Sequence, residues 1–132
     1  MKIGRRQFIG ATVAGAAAFV VPARATHMGV ASMYGLIGKM KAIAGQRDAL
    51  VAILLEGISG MPGCLSYVVA HDPGDADAIW VTEVWDSPES HKASLSLPAV
   101  KAAIARGKPL IASFDQYFET SPIGGHGLQT GA

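Results

Sequence analysis

Residues 64–88, "CLSYVVAHDPGDADAIWVTEVWDSP", carry the pattern that decides the fold of this chain. Residues 64–71 are rich in β-forming side chains, and the polar stretch that follows them is typical of a hairpin turn. Residues 78–86 predict the partner strand. Ser87 and Pro88 then have the order of a helix start, with a serine as N-cap and a proline at the first helical position. The stretch therefore predicts an antiparallel hairpin that leads directly into a helix.

The segments on either side of this hairpin complete the order of elements. Residues 33–42 are apolar and bounded by small residues, which predicts the first strand. Apolar side chains then recur at helical spacing within residues 45–60 and predict a helix of about 13 residues. After the hairpin, the second helix restarts or kinks at Pro98, and residues 110–120 predict the last strand. The order β-α-β-β-α-β is the ferredoxin-like split βαβ arrangement, an α+β fold.

The predicted sheet has apolar side chains on both faces. Right-handed crossovers place both helices on one face of a four-stranded antiparallel sheet, and a face left to water would be polar. Strand alternation assigns Leu65, Tyr67, Val69, Ile79, Val81 and Trp85 to one face, and Val68, Ala70, Trp80 and Val84 to the other. We therefore expect a homodimer in which two sheets pack face to face as a dimeric α/β barrel.

The charge distribution weighs against nucleic acid as a partner. The chain has 132 residues, which suits one domain, and its formal net charge is +1. Four of the 11 basic residues lie within the first 25 positions, so the remainder carries seven basic against 10 acidic residues. Nucleic-acid binding needs a basic face that neutralises phosphates. A mildly acidic body offers no such face.

The first 25 residues have the pattern of an export signal. Paired arginines in "GRRQFIG" precede a short apolar run, and an Ala-x-Ala sequence ends at Ala25. This pattern resembles the twin-arginine signal, and the apolar run is shorter than the roughly 20 residues that span a bilayer. We expect residues 1–25 to be a signal peptide and residues 26–132 to be a periplasmic domain without stable membrane insertion. An uncleaved anchor is the alternative.

Several kinds of site are disfavoured by the sequence. The aspartates of "DPGDAD" lack the length and final glutamate of a calcium loop, and the histidines are too scattered for a zinc pattern. Neither a phosphate-binding glycine motif nor a nucleophile elbow is present. Cys64 is the only cysteine, and its surroundings indicate a buried, inert thiol. The sequence therefore predicts neither a metal nor an organic cofactor.

Three motifs together resemble the antibiotic biosynthesis monooxygenase domain family. They are "PGCLSYVVAHDP", "VTEVWDSPESH" and "SLPAV", and the resemblance runs from about Tyr34 to Thr120. "PLIASFD" and "PIGGHGL" are similar to the quinol monooxygenase branch. The resemblance implies dimeric ferredoxin-like subunits that oxidise quinols or polycyclic phenols with dioxygen, using neither metal nor flavin. Many relatives carry a histidine in the second helix where this chain has Ser94, and here the histidine lies one turn earlier, at His91.

Three strand residues are candidates to bind such a substrate. Trp85 closes the third strand and is a candidate catalytic residue that stacks on an aromatic ring. Glu83 lies on the same sheet face, and Tyr67 on the neighbouring strand is placed to hydrogen-bond a quinol oxygen. Core packing of Trp85 and Tyr67, and an ion pair at Glu83, are the purely structural alternatives.

Three residues share one face of the second helix. His91, Ser94 and Leu95 have the i, i+3, i+4 spacing that places side chains one above the other. Histidine is the natural base near neutral pH, so we assign His91 as the candidate catalytic base and Ser94 and Leu95 as substrate-binding residues. A surface position at the helix start is the alternative for His91.

The sequence thus predicts a cofactor-independent monooxygenase that acts on a small aromatic or quinol. The alternative is a dimeric binding protein of the same fold that sequesters a hydrophobic small molecule and catalyses nothing. The predicted difference between them is whether His91 faces a cavity together with Trp85 or faces solvent.

Overall fold

The computed structural model describes residues 32–128, and the predicted signal peptide lies outside this range. Four strands, three α-helices and one short 3₁₀ helix follow one another in the predicted order. They are β1 (Tyr34–Ala42), α1 (Arg47–Glu56), β2 (Cys64–His71), β3 (Ala78–Trp85), α2 (Pro88–Ser94), α3 (Pro98–Gly107), the 3₁₀ helix (Lys108–Leu110) and β4 (Ile111–Thr120). Within the described part of the chain, no helix is long and apolar enough to cross a membrane.

The four strands form one antiparallel sheet in the order β2-β3-β1-β4. This is the ferredoxin-like order, so the predicted fold class is confirmed. The helices pack on one face of the sheet, where Leu50 of α1 contacts a core that includes Ile79 and Val81 of β3. The uncovered face carries a row of four residues at one register level: Val68, Thr82, Ile37 and Phe118.

Proline and glycine residues determine where the helices begin and end. The second helix is divided in two, because Pro98 begins a new helix after α2 ends at Ser94. The first helix has 10 residues and ends at Glu56, with Gly57 as its C-cap, so it is shorter than predicted. The predicted cap of α2 is confirmed: Ser90 donates its backbone N–H to Ser87 Oγ at 3.1 Å.

A tight contact at Gly63 connects the start of β2 with the corner between β3 and α2. Gly63 has φ +81°, and a Cβ at this position would lie 2.6 Å from Ser90 Cβ. Its carbonyl accepts a hydrogen bond from the backbone N–H of Asp86 at 2.9 Å. Only glycine combines this left-handed conformation with so close an approach. The contact holds the corner residues against β2.

Candidate functional site

A cavity of about 480 Å³ lies between the helices and the covered face of the sheet. Most of its wall is apolar, with Leu50, Ile53 and Leu54 from α1, Val100 and Ile104 from α3, and Met40 from β1. Among the described residues, its hydroxyl-bearing and charged lining side chains are Tyr67, Glu83, Ser94 and Lys108. A mostly apolar wall with a few polar groups is typical of a small-molecule site, for which volumes of about 300–1,000 Å³ are usual.

Five of the six site residues predicted from the sequence line this cavity. Tyr67, Glu83, Trp85, Ser94 and Leu95 are in its wall. His91 is not among the lining residues. Its ring lies against Trp85, with the ring centroids 5.4 Å apart, and against Tyr34 at 5.5 Å. The imidazole and the indole therefore lie together. The sequence left open whether His91 faces the cavity or solvent, and in the structure it does not line the cavity and is only 21% exposed.

Glu83 is the acidic group that faces the cavity. Its Oε2 accepts a hydrogen bond from the Trp85 indole N–H at 2.7 Å. Burial of the carboxylate raises the pKa of Glu83 above its ordinary value, although the Trp85 hydrogen bond and His91 partly oppose this shift. A carboxylate that is costly to keep ionised accepts a proton more readily than one in water. Glu83 therefore has the character of a general base.

His91 approaches the same carboxylate from outside the cavity wall. Its Nε2 lies 3.9 Å from Glu83 Oε2, and its side chain is 21% exposed. At this distance a protonated imidazole stabilises the ionised carboxylate without a direct hydrogen bond. The geometry places His91 as a neighbour that tunes Glu83.

Tyr67 lies directly opposite Glu83 on the adjacent strand, where side chains are about 5 Å apart at Cβ. Burial, and then the negative charge of Glu83, raise the pKa of the Tyr67 hydroxyl above its ordinary value. The hydroxyl therefore stays protonated and is able to donate a hydrogen bond. Glu83 and Tyr67 thus bring an acceptor and a donor to the cavity wall from neighbouring strands.

Ser94 presents an acceptor to the same cavity. The residue is buried, at 4% exposed, and its Oγ donates a hydrogen bond to the His91 carbonyl at 2.6 Å. Because its proton is engaged in this way, the remaining lone pairs of the oxygen are what Ser94 offers to a ligand. A substrate hydroxyl is a suitable donor.

A smaller cavity of about 310 Å³ adjoins the main one across Ile58, Met61 and Tyr67, which line both. Cys64 lines this second cavity, and burial raises the pKa of its thiol. The thiol is therefore poorly suited to act as a nucleophile, as the sequence indicated, although Cys64 is half-buried rather than buried. Within residues 32–128, no three His, Cys, Asp or Glu side chains converge to hold a metal ion.

Two features of the site could not be read from the sequence. Lys108 lines the cavity, although a lysine just after a helix end is ordinarily a surface residue. The sequence also did not indicate the raised pKa of Glu83, a residue that it placed at the site as substrate-binding. The available signal was its alternation with Trp85, which places both on the covered face of β3.

The fold and the cavity define a ferredoxin-like α+β protein with a largely apolar cavity between its helices and sheet. This chain belongs to the antibiotic biosynthesis monooxygenase family, whose family model matches residues 33–106. A search of curated proteins found no match.

Solved structures support this assignment. A Chloroflexus aurantiacus protein described as a candidate antibiotic biosynthesis monooxygenase is 74% identical, covers 74% of this chain and 100% of its own, and gives a TM-score of 0.73. A similarly described Caulobacter crescentus protein is 18% identical, covers 76% of this chain and 99% of its own, and gives a TM-score of 0.65. A third, from Bacteroides thetaiotaomicron, is 12% identical, covers 71% and 92%, and gives 0.63. The last two share the fold.

Proposed function

We propose that this member of the monooxygenase family oxidises a small aromatic or quinol substrate with dioxygen, without a metal or organic cofactor. The observation that carries the proposal is the Glu83 carboxylate, whose pKa is raised by burial and which faces an apolar cavity beside Tyr67. Quinols react with dioxygen after deprotonation makes them electron-rich. A base and a hydrogen-bond donor in a largely apolar cavity meet that requirement.

The proposed reaction begins with proton transfer from a substrate hydroxyl to Glu83. The resulting phenolate accepts a hydrogen bond from Tyr67, which stabilises the negative charge as it develops. The electron-rich ring then reduces dioxygen. One oxygen atom enters the ring, the other leaves as water, and a quinol becomes a hydroxyquinone. The substrate supplies all four electrons, so the balance requires no external reductant.

Oxygen uptake with a panel of reduced benzoquinones and naphthoquinones tests this function, using protein treated with a chelator. Isotopically labelled dioxygen should place one labelled atom in the product and the other in water. Uptake that stops after chelation would contradict cofactor independence. Tight binding of quinols without oxygen uptake would instead favour the non-catalytic binding protein.

We propose a homodimer formed by the uncovered face of the sheet. Val68 and Phe118 on this face are 52% and 53% exposed, and they lie in one row across the sheet with Ile37 and Thr82. Three of these four side chains are apolar, and exposed apolar surface of this kind is commonly covered by another surface. A second copy related by a twofold axis would cover it with the same residues.

We also propose export to the periplasm with cleavage after Ala25. The paired arginines and the Ala-x-Ala sequence support this proposal, and both lie outside the described residues. Intact-mass measurement of protein from a host with a twin-arginine pathway should give a chain beginning at Thr26. Recovery of full-length protein from the cytoplasm would contradict it.

A further inference from the structure

The two charged residues of the cavity lie toward opposite ends of the sheet. Glu83 pairs with Leu36 near the start of β1, whereas Ile111 pairs with Ala42 at the end of the same strand. Six residues of strand separate these levels by about 20 Å. Lys108 comes shortly before Ile111 in the chain, so it lies at the end of the cavity remote from Glu83.

Lys108 differs from the lysines and arginine that have carboxylate partners. Lys39, Lys41 and Arg106 each have a carboxylate oxygen at 2.8–2.9 Å. No carboxylate within residues 32–128 lies at ion-pair distance from Lys108. The residue is exposed, yet it lines the apolar cavity. An exposed lysine in the wall of such a cavity has an ammonium group that is available to an anion.

An aromatic side chain lines the same end of the cavity. Phe114 follows Ile111 on β4, is 74% exposed, and is part of the cavity wall. Its ring offers a flat apolar surface to a ligand at the mouth. A cation and an exposed ring therefore lie at one end of the cavity, and the carboxylate base lies at the other.

We propose that Lys108 makes the cavity selective for aromatic ligands that carry an acid group. The ligand's carboxylate or sulfonate lies at Lys108, and its apolar body occupies the space between the helices and the sheet. The reverse orientation is disfavoured, because it would place two negative charges together at Glu83. This selection for the acid group does not rest on the proposed function.

Two fluorescent probes test the selection directly. Anilinonaphthalene sulfonate and N-phenyl-naphthylamine have the same ring frame and differ in the sulfonate. In fluorescence titrations, Lys108→Met should weaken binding of the sulfonate probe by about two- to fivefold, as expected for a partly exposed ion pair. Binding of the neutral probe should stay unchanged. Lys108→Arg should retain the wild-type preference, and added salt should reduce it.

Lys101→Met is the matched control, because Lys101 is an exposed lysine of α3 outside the cavity wall. It should leave both affinities at the wild-type level. Equal losses for both probes in Lys108→Met, or no loss for either, would overturn the proposal. Those outcomes mean that the lysine stem merely covers apolar surface.

The position of the bound probe needs its own control. Ala103 lines the cavity, so Ala103→Phe should fill part of it and weaken both probes. Circular dichroism checks that this variant folds. Competition between the two probes on the wild type tests independently whether both probes bind in the cavity. Sulfonate binding that survives the blockage or resists competition would also overturn the proposal. Oxygen uptake is not measured, so a failure of the proposed catalysis leaves these outcomes interpretable.

Discussion

Two carboxylates of this protein each accept a hydrogen bond from a tryptophan indole, yet their pKa values shift in opposite directions. Asp72 accepts from Trp80 at 3.0 Å beside the uncovered face of the sheet, and Glu83 accepts from Trp85 at 2.7 Å on the covered face. The pKa of Asp72 is lowered to about 2, first by its hydrogen bond with Lys39. The pKa of Glu83 is raised by burial.

The neighbours of the two carboxylates explain the difference. Lys39 lies 2.9 Å from Asp72 and favours its charged form, whereas the nearest cation-forming group to Glu83 is His91 at 3.9 Å. An indole hydrogen bond alone therefore does not determine the protonation of a carboxyl group. A close ammonium makes Asp72 a structural anion, and desolvation makes Glu83 a candidate base.

The largest expected effect is on enzymatic activity, and it should distinguish Glu83 from Asp72. Glu83→Gln keeps the shape and the acceptor for the Trp85 indole but removes the base. Quinol-dependent oxygen uptake should fall by about 10²–10⁴-fold, the range expected when a general base is lost. Asp72→Asn is the matched control and should leave turnover near the wild-type rate. Equal losses in the two variants would contradict the assignment of Glu83 as the base.

A charge placed on the uncovered face of the sheet should weaken the proposed dimer. Val68→Asp introduces two charges into a twofold interface, and each buried valine contributes about 1.5–3 kcal/mol. The dimer dissociation constant should therefore rise by at least about a hundredfold, as measured by analytical ultracentrifugation. Leu55→Asp is the control, because Leu55 is an exposed apolar residue of α1, away from the sheet. A wild-type protein that is monomeric at micromolar concentration would contradict the proposed dimer.

A smaller effect should follow from His91→Ala. Because His91 favours the charged form of Glu83, its removal raises the Glu83 pKa further, and the acidic limb of the pH–rate profile should move to higher pH. The loss at neutral pH should be about fivefold or less, and activity should recover as the pH rises. If His91 itself is the base, the loss will be about 10²–10⁴-fold without recovery. pH–rate profiles of the wild type and of His91→Ala distinguish these outcomes.

The smallest effects are opposite changes of stability with pH. A raised carboxyl pKa stabilises the folded state below the unfolded pKa, and this stabilisation is lost as the pH rises through the folded pKa. Glu83→Gln should therefore melt at a higher temperature than wild type at neutral pH. The difference should disappear below about pH 4, where the unfolded carboxyl is also protonated.

Asp72 should show the reverse sign. Its lowered pKa stabilises the folded state above the ordinary value of 3.8, and this stabilisation is lost as the pH falls toward about 2. Asp72→Asn should lower the melting temperature at neutral pH, with a difference that shrinks in acid. Thermal melts across this range test both variants. Shifts of the same sign at neutral pH would contradict the contrast between the two faces.

The sequence predicted those features that depend on neighbouring residues. Residues 64–71 form β2 as predicted, and β3 ends one residue before the predicted end. Ser87 caps α2, where its side chain accepts a hydrogen bond from a backbone N–H only three residues further along the chain. Alternation also predicted which face Glu83 and Trp85 share. These features follow from the two-residue period of a strand and from local hydrogen bonding, so no long-range contact was needed to infer them.

Only the tertiary structure decided the positions of His91 and Lys108 relative to the cavity and the burial of Glu83. His91 lies beside Trp85 as expected, but its ring packs between Trp85 and Tyr34, a residue 57 positions earlier in the chain. Lys108 reaches the cavity because the end of α3 returns to the far end of β1. The raised pKa of Glu83 likewise depends on burial, which arises only when the chain is folded. Desolvation and packing are sums over such long-range neighbours, so a local pattern does not contain them.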